Sequence, residues 1–185
     1  MNKRGIKTKE KIKLNFLTLI KDKHPQDLTV SELCKHTGIQ RKTFYAYYRN
    51  ISDILDEIFD DLIGNINSLY IDILTGAIGN FEAFFNYVNQ YILKNLDYYV
   101  LLSKSDYYVT FVNRVDDYFT ETILNRFNND FCIYKSLNKY DLFFLISGIS
   151  ALYTHWFHDI KQCPIEYISN TCISMCQKIF ESKDV

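Results

Sequence analysis

The chain has 185 residues, with 21 Lys and Arg against 22 Asp and Glu for a net charge of −1, and 48% of its residues are hydrophobic. That apolar share suffices for a packed core, and only two prolines and six glycines argue against disorder. Five cysteines (Cys34, Cys132, Cys163, Cys172, Cys176) form no C-x-x-C pair, the basic start lacks an apolar run behind it, and no apolar stretch is long enough for a bilayer, which argues against a disulfide scaffold, a secretory leader and a membrane partner, and leads us to expect free thiols in a reducing cytoplasm.

The near-zero net charge hides a split. Residues 1–50 carry twelve Lys and Arg against four Asp and Glu, a balance of +8, whereas the remainder carries nine against eighteen, a balance of −9. This pattern suits a polyanion-binding head on an acidic body; a merely solvated charged face is the alternative.

Apolar residues recur every three or four positions, and few stretches alternate with period two, so the chain is predicted to be all-α. A first helix is expected over 7–22, with Ile12, Phe16, Leu19 and Ile20 on one face and lysines on the other. His24-Pro25 ends it, because the residue before proline avoids the α region. Thr29-Val30-Ser31-Glu32 fits a capping box opening a second helix, with Val30, Leu33 and Cys34 inward. Thr37-Gly38 supplies a tight turn in which glycine takes positive φ. A third helix over 40–47 is anchored by Phe44 and Tyr48, leaving Arg41, Lys42, Thr43, Tyr45 and Tyr47 on its other faces. Ser52 is expected to cap a longer helix to about residue 74, and Asp53, Asp56 and Glu57 in its first turns suit the helix dipole. Gly76 and Gly79 mark a break. Further helices are expected over 81–96, with Phe81, Phe84, Phe85, Val88 and Ile92 as one stripe, and over 105–127, followed by a loop to Asn138.

The last two helices carry surplus apolar seams. In the first, Leu142, Leu145, Ile149, Leu152 and Trp156 are spaced 3-4-3-4 beside a second line of Phe143, Ile146, Ser150, Tyr153 and Phe157. Gly148 and Ala151 lie beside these lines, where another backbone can approach. Pro164 starts the second, in which Ile165, Ile168, Cys172, Met175 and Ile179 run at similar spacing. Two adjacent seams need partners on both sides. The expected partner is a second copy of the chain, meeting at Leu145, Gly148, Ile149, Leu152, Trp156, Ile168, Cys172 and Met175. The alternative is a central helix in a monomer.

The stretch from Ser31 to Leu55 gathers cations and hydroxyls just after a turn glycine. A helix-turn-helix lays its first helix across the DNA backbone and projects the second into the major groove. Arg41 and Lys42 can donate to guanine O6 and N7, and Thr43 can contact a thymine methyl or a phosphate. Tyr45, Tyr47, Ser31 and the amide end of the second helix can hold phosphates. Lys3 and Arg4 read either as a minor-groove arm or as a disordered tail.

Thr29-Val30-Ser31-Glu32-Leu33-Cys34, Gly38-Ile39, Thr43-Phe44-Tyr45, Tyr48-Arg49-Asn50 and Asp53-Ile54-Leu55 resemble the N-terminal domain of the tetracycline-repressor family of transcriptional regulators. The resemblance is close over about 7–58. It extends loosely to the end, where Tyr153-Thr154-His155-Trp156-Phe157 and Pro164 resemble a C-terminal domain common in Firmicutes members. It implies a helix-turn-helix DNA-binding domain over 1–51 and a helical dimerisation and ligand-sensing domain over 52–185. It implies a homodimer, acting as a repressor on a near-palindromic operator in double-stranded DNA. Base contacts then fall near Arg41, Lys42 and Thr43, and phosphate contacts near Ser31, Gln40, Tyr45 and Tyr47. The sequence departs from the family at two points. Gln40 replaces a small serine, and Ile51 replaces a lysine whose cation Arg49 can supply.

The implied C-terminal domain often holds a small-molecule inducer. Tyr87, Tyr91, Tyr98, Tyr99, Tyr107, Tyr108, Phe111 and Tyr118 can line a pocket for a planar apolar ligand, or serve as ordinary core, and no feature identifies an inducer. Two other readings stay open. His155 and His158, with Cys172 and Cys176, have spacings suited to a metal- or thiol-responsive site. A helical interaction protein that does not bind DNA is the second. No phosphate-cradling glycine loop, H-E-x-x-H or nucleophile elbow is present, so no catalytic residue, cofactor or resident metal is assigned.

Overall fold

The computed structural model describes residues 3–76, 81–129 and 138–181. Among these, nine α-helices follow in order: α1 Lys3–Ile20, α2 Val30–Thr37, α3 Arg41–Tyr45, α4 Ser52–Gly76, α5 Phe81–Lys94, α6 Leu96–Leu102, α7 Tyr108–Asn129, α8 Lys139–His158 and α9 Ile165–Glu181, with one 3-10 turn at Pro25–Asp27. The all-α expectation holds. The glycine-rich break after Gly76 and the stretch 130–137 lie outside the described residues. No helix among the described residues is long and apolar enough to cross a membrane.

The chain divides into two compact units, 1–64 with 95–109, and 65–94 with 110–185. In the first, α1 packs on α2 and α6, and α2 packs on α3. Its core is Ile12, Phe16, Leu17, Ile20, Leu33, Phe44, Ile54 and Leu102, all essentially without exposed surface. Each such side chain contributes roughly 1.5–3 kcal/mol of burial. Leu17, not Leu19, completes the buried stripe of α1. Lys3 and Arg4 form neither a free arm nor a tail but belong to the first turn of α1.

Capping explains where the helices begin. The Thr29 hydroxyl accepts from the Glu32 amide at 3.2 Å, as expected. The Glu32 carboxylate meets the Lys23 ammonium at 2.9 Å, and that contact together with the Thr29 amide lowers its pKa. The carboxamide of Asn50, not Ser52, caps α4: its Oδ1 accepts from the Asp53 amide at 3.0 Å, and Ser52 is the first helical residue. One helix was not anticipated. Asn95, at φ −117 and ψ 24, leaves the α conformation and separates α5 from α6.

In the second unit α9 packs on both α5 and α8. Asn138 caps α8 in a full capping box with Asp141, and Pro164 directly precedes α9. Buried hydrogen bonds link several polar groups inside this unit, although among the described residues Asn67 Oδ1 and Thr120 Oγ1 have no partner. Tyr153 donates to Asn89 Oδ1 at 2.8 Å, Asn89 donates to Ser169 Oγ at 2.9 Å, and the Trp156 indole donates to the Cys163 carbonyl at 2.9 Å. Asp116 accepts hydrogen bonds from Ser147 and Ser150.

The seam assigned to a second copy is largely this unit's own core. Leu145, Trp156, Ile168 and Cys172 are buried within it, and Ile149 and Leu152 are half-buried. Only Gly148 and Met175 of that set are exposed. Both lines of α8 turn residues inward, Leu142, Leu145 and Trp156 from one and Ile146, Tyr153 and Phe157 from the other, where transfer from water gains most. The open face of α8 lies beside them, along Tyr140, Phe144, Gly148 and Ala151, with Tyr167 and Met175 exposed on α9. Tyr140 and Phe144 keep 79% and 73% of their surfaces.

Candidate nucleic-acid interface

The turn between α2 and α3 rests on one residue. Gly38 has φ 70 and ψ 37, a left-handed conformation in which a Cβ costs energy. Its amide closes on the Lys35 carbonyl at 3.3 Å, and the Ile39 amide reaches the Cys34 carbonyl at 3.0 Å. The chain then re-enters a helix at Arg41. The Gln40 carbonyl accepts from the Thr43 amide at 2.9 Å, but the Gln40 side chain makes no cap hydrogen bond.

Phe44 fixes the orientation of α3. It is fully buried, and its ring sits 5.7 Å from that of Tyr48, itself 3% exposed. The opposite surface is therefore turned to solvent. Arg41, Lys42 and Tyr45 are exposed, Thr43 and Tyr47 are half-buried, and Ser31 at the start of α2 is exposed beside them. The Arg41 guanidinium donates to the Ser31 hydroxyl, so a candidate base reader and a candidate phosphate contact meet. Gln40 is exposed next to them.

Arg49 is placed differently. Its guanidinium meets the Asp53 carboxylate at 3.0 and 3.2 Å, and its backbone amide donates to the same carboxylate at 2.8 Å. These hydrogen bonds hold Asp53 below the usual carboxylate range and Arg49 above its own. The cation expected to stand in for a family lysine is thus already compensated. Ile51 is half-buried and brings no charge. The four-residue spacing of Arg49 and Asp53 on the approach to α4 was the available signal for this pair.

A second charged cluster supports the helix-turn-helix from inside the same unit. Lys13 on α1 is only 8% exposed and donates to Asp61 on α4 at 2.7 Å. Glu57 accepts from Lys13 at 3.2 Å and also pairs with Lys9. The Lys9 ammonium stands 5.3 Å from the centre of the Tyr48 ring, and that of Lys13 stands 5.9 Å from the centre of the Tyr98 ring. Burial opposes the charge of Lys13, but Asp61 and Glu57 outweigh it and raise its pKa. Burial likewise opposes the Glu57 carboxylate, but Lys9 and Lys13 outweigh it and lower its pKa. Tyr98 and Tyr99 of the expected aromatic pocket pack in this first unit, where the Tyr98 hydroxyl donates to the Glu10 carbonyl at 3.3 Å.

The metal or thiol site does not form. His155 and His158 are exposed, whereas Cys172 and Cys176 are buried. Burial pushes both thiols up to about 12, away from the thiolate that a metal or an oxidant needs. Among the described residues no three His, Cys, Asp or Glu side chains converge on a common point.

Neither a protein-family model nor a curated protein matches the sequence. A solved structure does. It is the crystal structure of a TetR transcriptional regulator from Streptococcus agalactiae 2603V, matched over 93% of this chain and 94% of that chain with a TM-score of 0.58. The fold of this chain is similar to that of the matched regulator. At 19% identity the likeness lies in the helical architecture.

Proposed function

We propose that the chain is a sequence-specific, DNA-binding transcriptional repressor of the tetracycline-repressor family, working as a homodimer on a near-palindromic operator. One observation carries the reading. A turn that needs a left-handed glycine and a fully buried Phe44 together hold α3 so that Arg41, Lys42 and Tyr45 are turned to solvent. In the major groove, Arg41 and Lys42 would donate to guanine, and Thr43 would meet a thymine methyl or a phosphate. Ser31, Gln40, Tyr45 and Tyr47 would hold phosphates and set the register. Arg49 would join them only where its pair with Asp53 opens.

Dimerisation supplies the second half-site. The exposed face along Tyr140, Phe144, Gly148 and Ala151, with Tyr167 and Met175, is the surface a second copy would cover. Two copies of α3 would then sit about one helical turn apart, at roughly 34–36 Å. The same reading assigns a small-molecule inducer to the second unit. Its binding would favour one of two states that differ in affinity for DNA.

Selection of bound fragments from random duplex DNA by the purified protein tests the reading. Recovery of one near-palindromic sequence supports it. A pool that stays random after repeated rounds contradicts it.

A further inference from the structure

The six basic residues of α1 fall on two faces. Lys9 and Lys13, four apart, face α4 and are compensated by Glu57 and Asp61. Lys3, Arg4, Lys7 and Lys11 face the other way, and no carboxylate among the described residues lies within ion-pair distance of them. With Thr8 and Ile39 they line an open hollow on the head. Lys3, Lys7 and Lys11 are each one helical step of four residues apart, so the row is about 12 Å long.

The hollow adjoins the recognition segment. Ile39 directly precedes Gln40 and α3. The Lys11 ammonium stands 3.9 Å from where a Cβ on Gly38 would be, which sets it at the turn. Uncompensated cations held in a row on a helix are repelled by one another and gain most from a line of negative charges. A phosphodiester strand is such a line.

We propose that Arg4, Lys7 and Lys11 form a second phosphate-binding edge of the head, gripping the DNA backbone that flanks the groove entered by α3. The proposal rests on the reading of α3 as the DNA-reading helix. It adds a surface on a different helix, with its own signature. Phosphate contacts release counterions, so each one steepens the fall of affinity with salt, whereas none of them carries sequence information.

The test is fluorescence anisotropy of the full chain on its selected operator and on a scrambled duplex, at several salt concentrations. Lys7→Gln and Lys11→Gln replace exposed residues by a side chain of similar helix propensity, so folding should be unaffected. Each should weaken binding to both duplexes alike and reduce the slope of log affinity against log salt by about 0.9 per protomer. The ratio of operator to scrambled affinity should persist, and Lys7→Arg should restore the slope. Lys21→Gln, the same charge change beyond the far end of α1, should leave it unaltered. Wild-type slopes in both Lys→Gln variants, or an equal loss in Lys21→Gln, would overturn the proposal while leaving the role of α3 intact. A wild-type protein that binds neither duplex would overturn both.

Discussion

The ammonium of Lys13 on α1 lies 2.7 Å from the carboxylate of Asp61 on α4, and this pair ties the floor of the helix-turn-helix to the first turns of the long helix. Lys13 is nearly buried, while half of the Asp61 side chain is exposed. Removing only the acid leaves a buried cation with Glu57 as its remaining partner. Asp61→Asn should therefore lower stability by about 1–2 kcal/mol. Lys13→Met removes the charge that needed compensation and should cost less. Urea unfolding of the two variants checks the ranking, and the reverse ranking would contradict this account of the cluster.

The same cluster gives an acid limb. Glu57 has a pKa lowered below 4.5 in the folded state. Its contribution is thus complete above the unfolded pKa and is lost as pH falls through the folded value. Lys13 has a raised pKa, so its contribution is complete below 10.5 and is lost only as pH rises through the folded value. Stability measured by urea midpoint should fall from about pH 5 downward, and Glu57→Gln should shallow that fall. An identical acid limb in the variant would remove Glu57 from the explanation.

The helix-turn-helix was legible because its signals are local. A Thr29 cap, the Gly38 turn and the Phe44–Tyr48 anchor each depend on residues within a turn or two of one another. The division between α5 and α6 was not legible, because Asn95 interrupts an unbroken apolar rhythm without glycine or proline. Nor could periodicity decide which residues of α8 turn inward. Two lines one position apart are both apolar, and only packing against α9 shows that Leu145 and Trp156 point inward. The compensation of Arg49 is hidden for a different reason. Asp53 suits the helix dipole at the start of α4, which masks its pairing with the cation four residues before it.

Gly148 allows the stability of the protomer to be tested apart from the proposed dimer. It is exposed in mid-helix, and a Cβ there meets nothing within 4 Å. Gly148→Glu should leave the protomer as stable or stabilise it by roughly 0.5–1 kcal/mol through helix propensity. It would also set a charge on the face assigned to the second copy. Sedimentation should show the wild type as a dimer at micromolar concentration and the variant as a folded monomer. A wild type that sediments as a monomer would contradict the interface.

Asp53 should act as a brake on DNA binding. Its carboxylate occupies the guanidinium of Arg49 that a phosphate would otherwise take. Asp53→Asn should raise affinity for operator and scrambled DNA alike and steepen the salt slope by about 0.9 per protomer. Loss of its favourable place at the start of α4 should lower stability slightly. Unchanged salt slopes would show that Arg49 stays clear of the backbone.

The central claim is that α3 reads bases through Arg41 and Lys42, and the ratio of affinity for operator to affinity for scrambled DNA tests it most directly. Fluorescence anisotropy on both duplexes would be measured for the wild type, Arg41→Ala, Lys42→Ala and Tyr45→Phe. Each cation removed should cost roughly 1–3 kcal/mol per half-site on the operator and relax preference at one symmetric pair of positions, so the ratio falls. Tyr45→Phe, which loses only a phosphate contact, should weaken both duplexes equally and leave the ratio in place. If Arg41→Ala and Lys42→Ala both retain the wild-type ratio, α3 is not the reading helix.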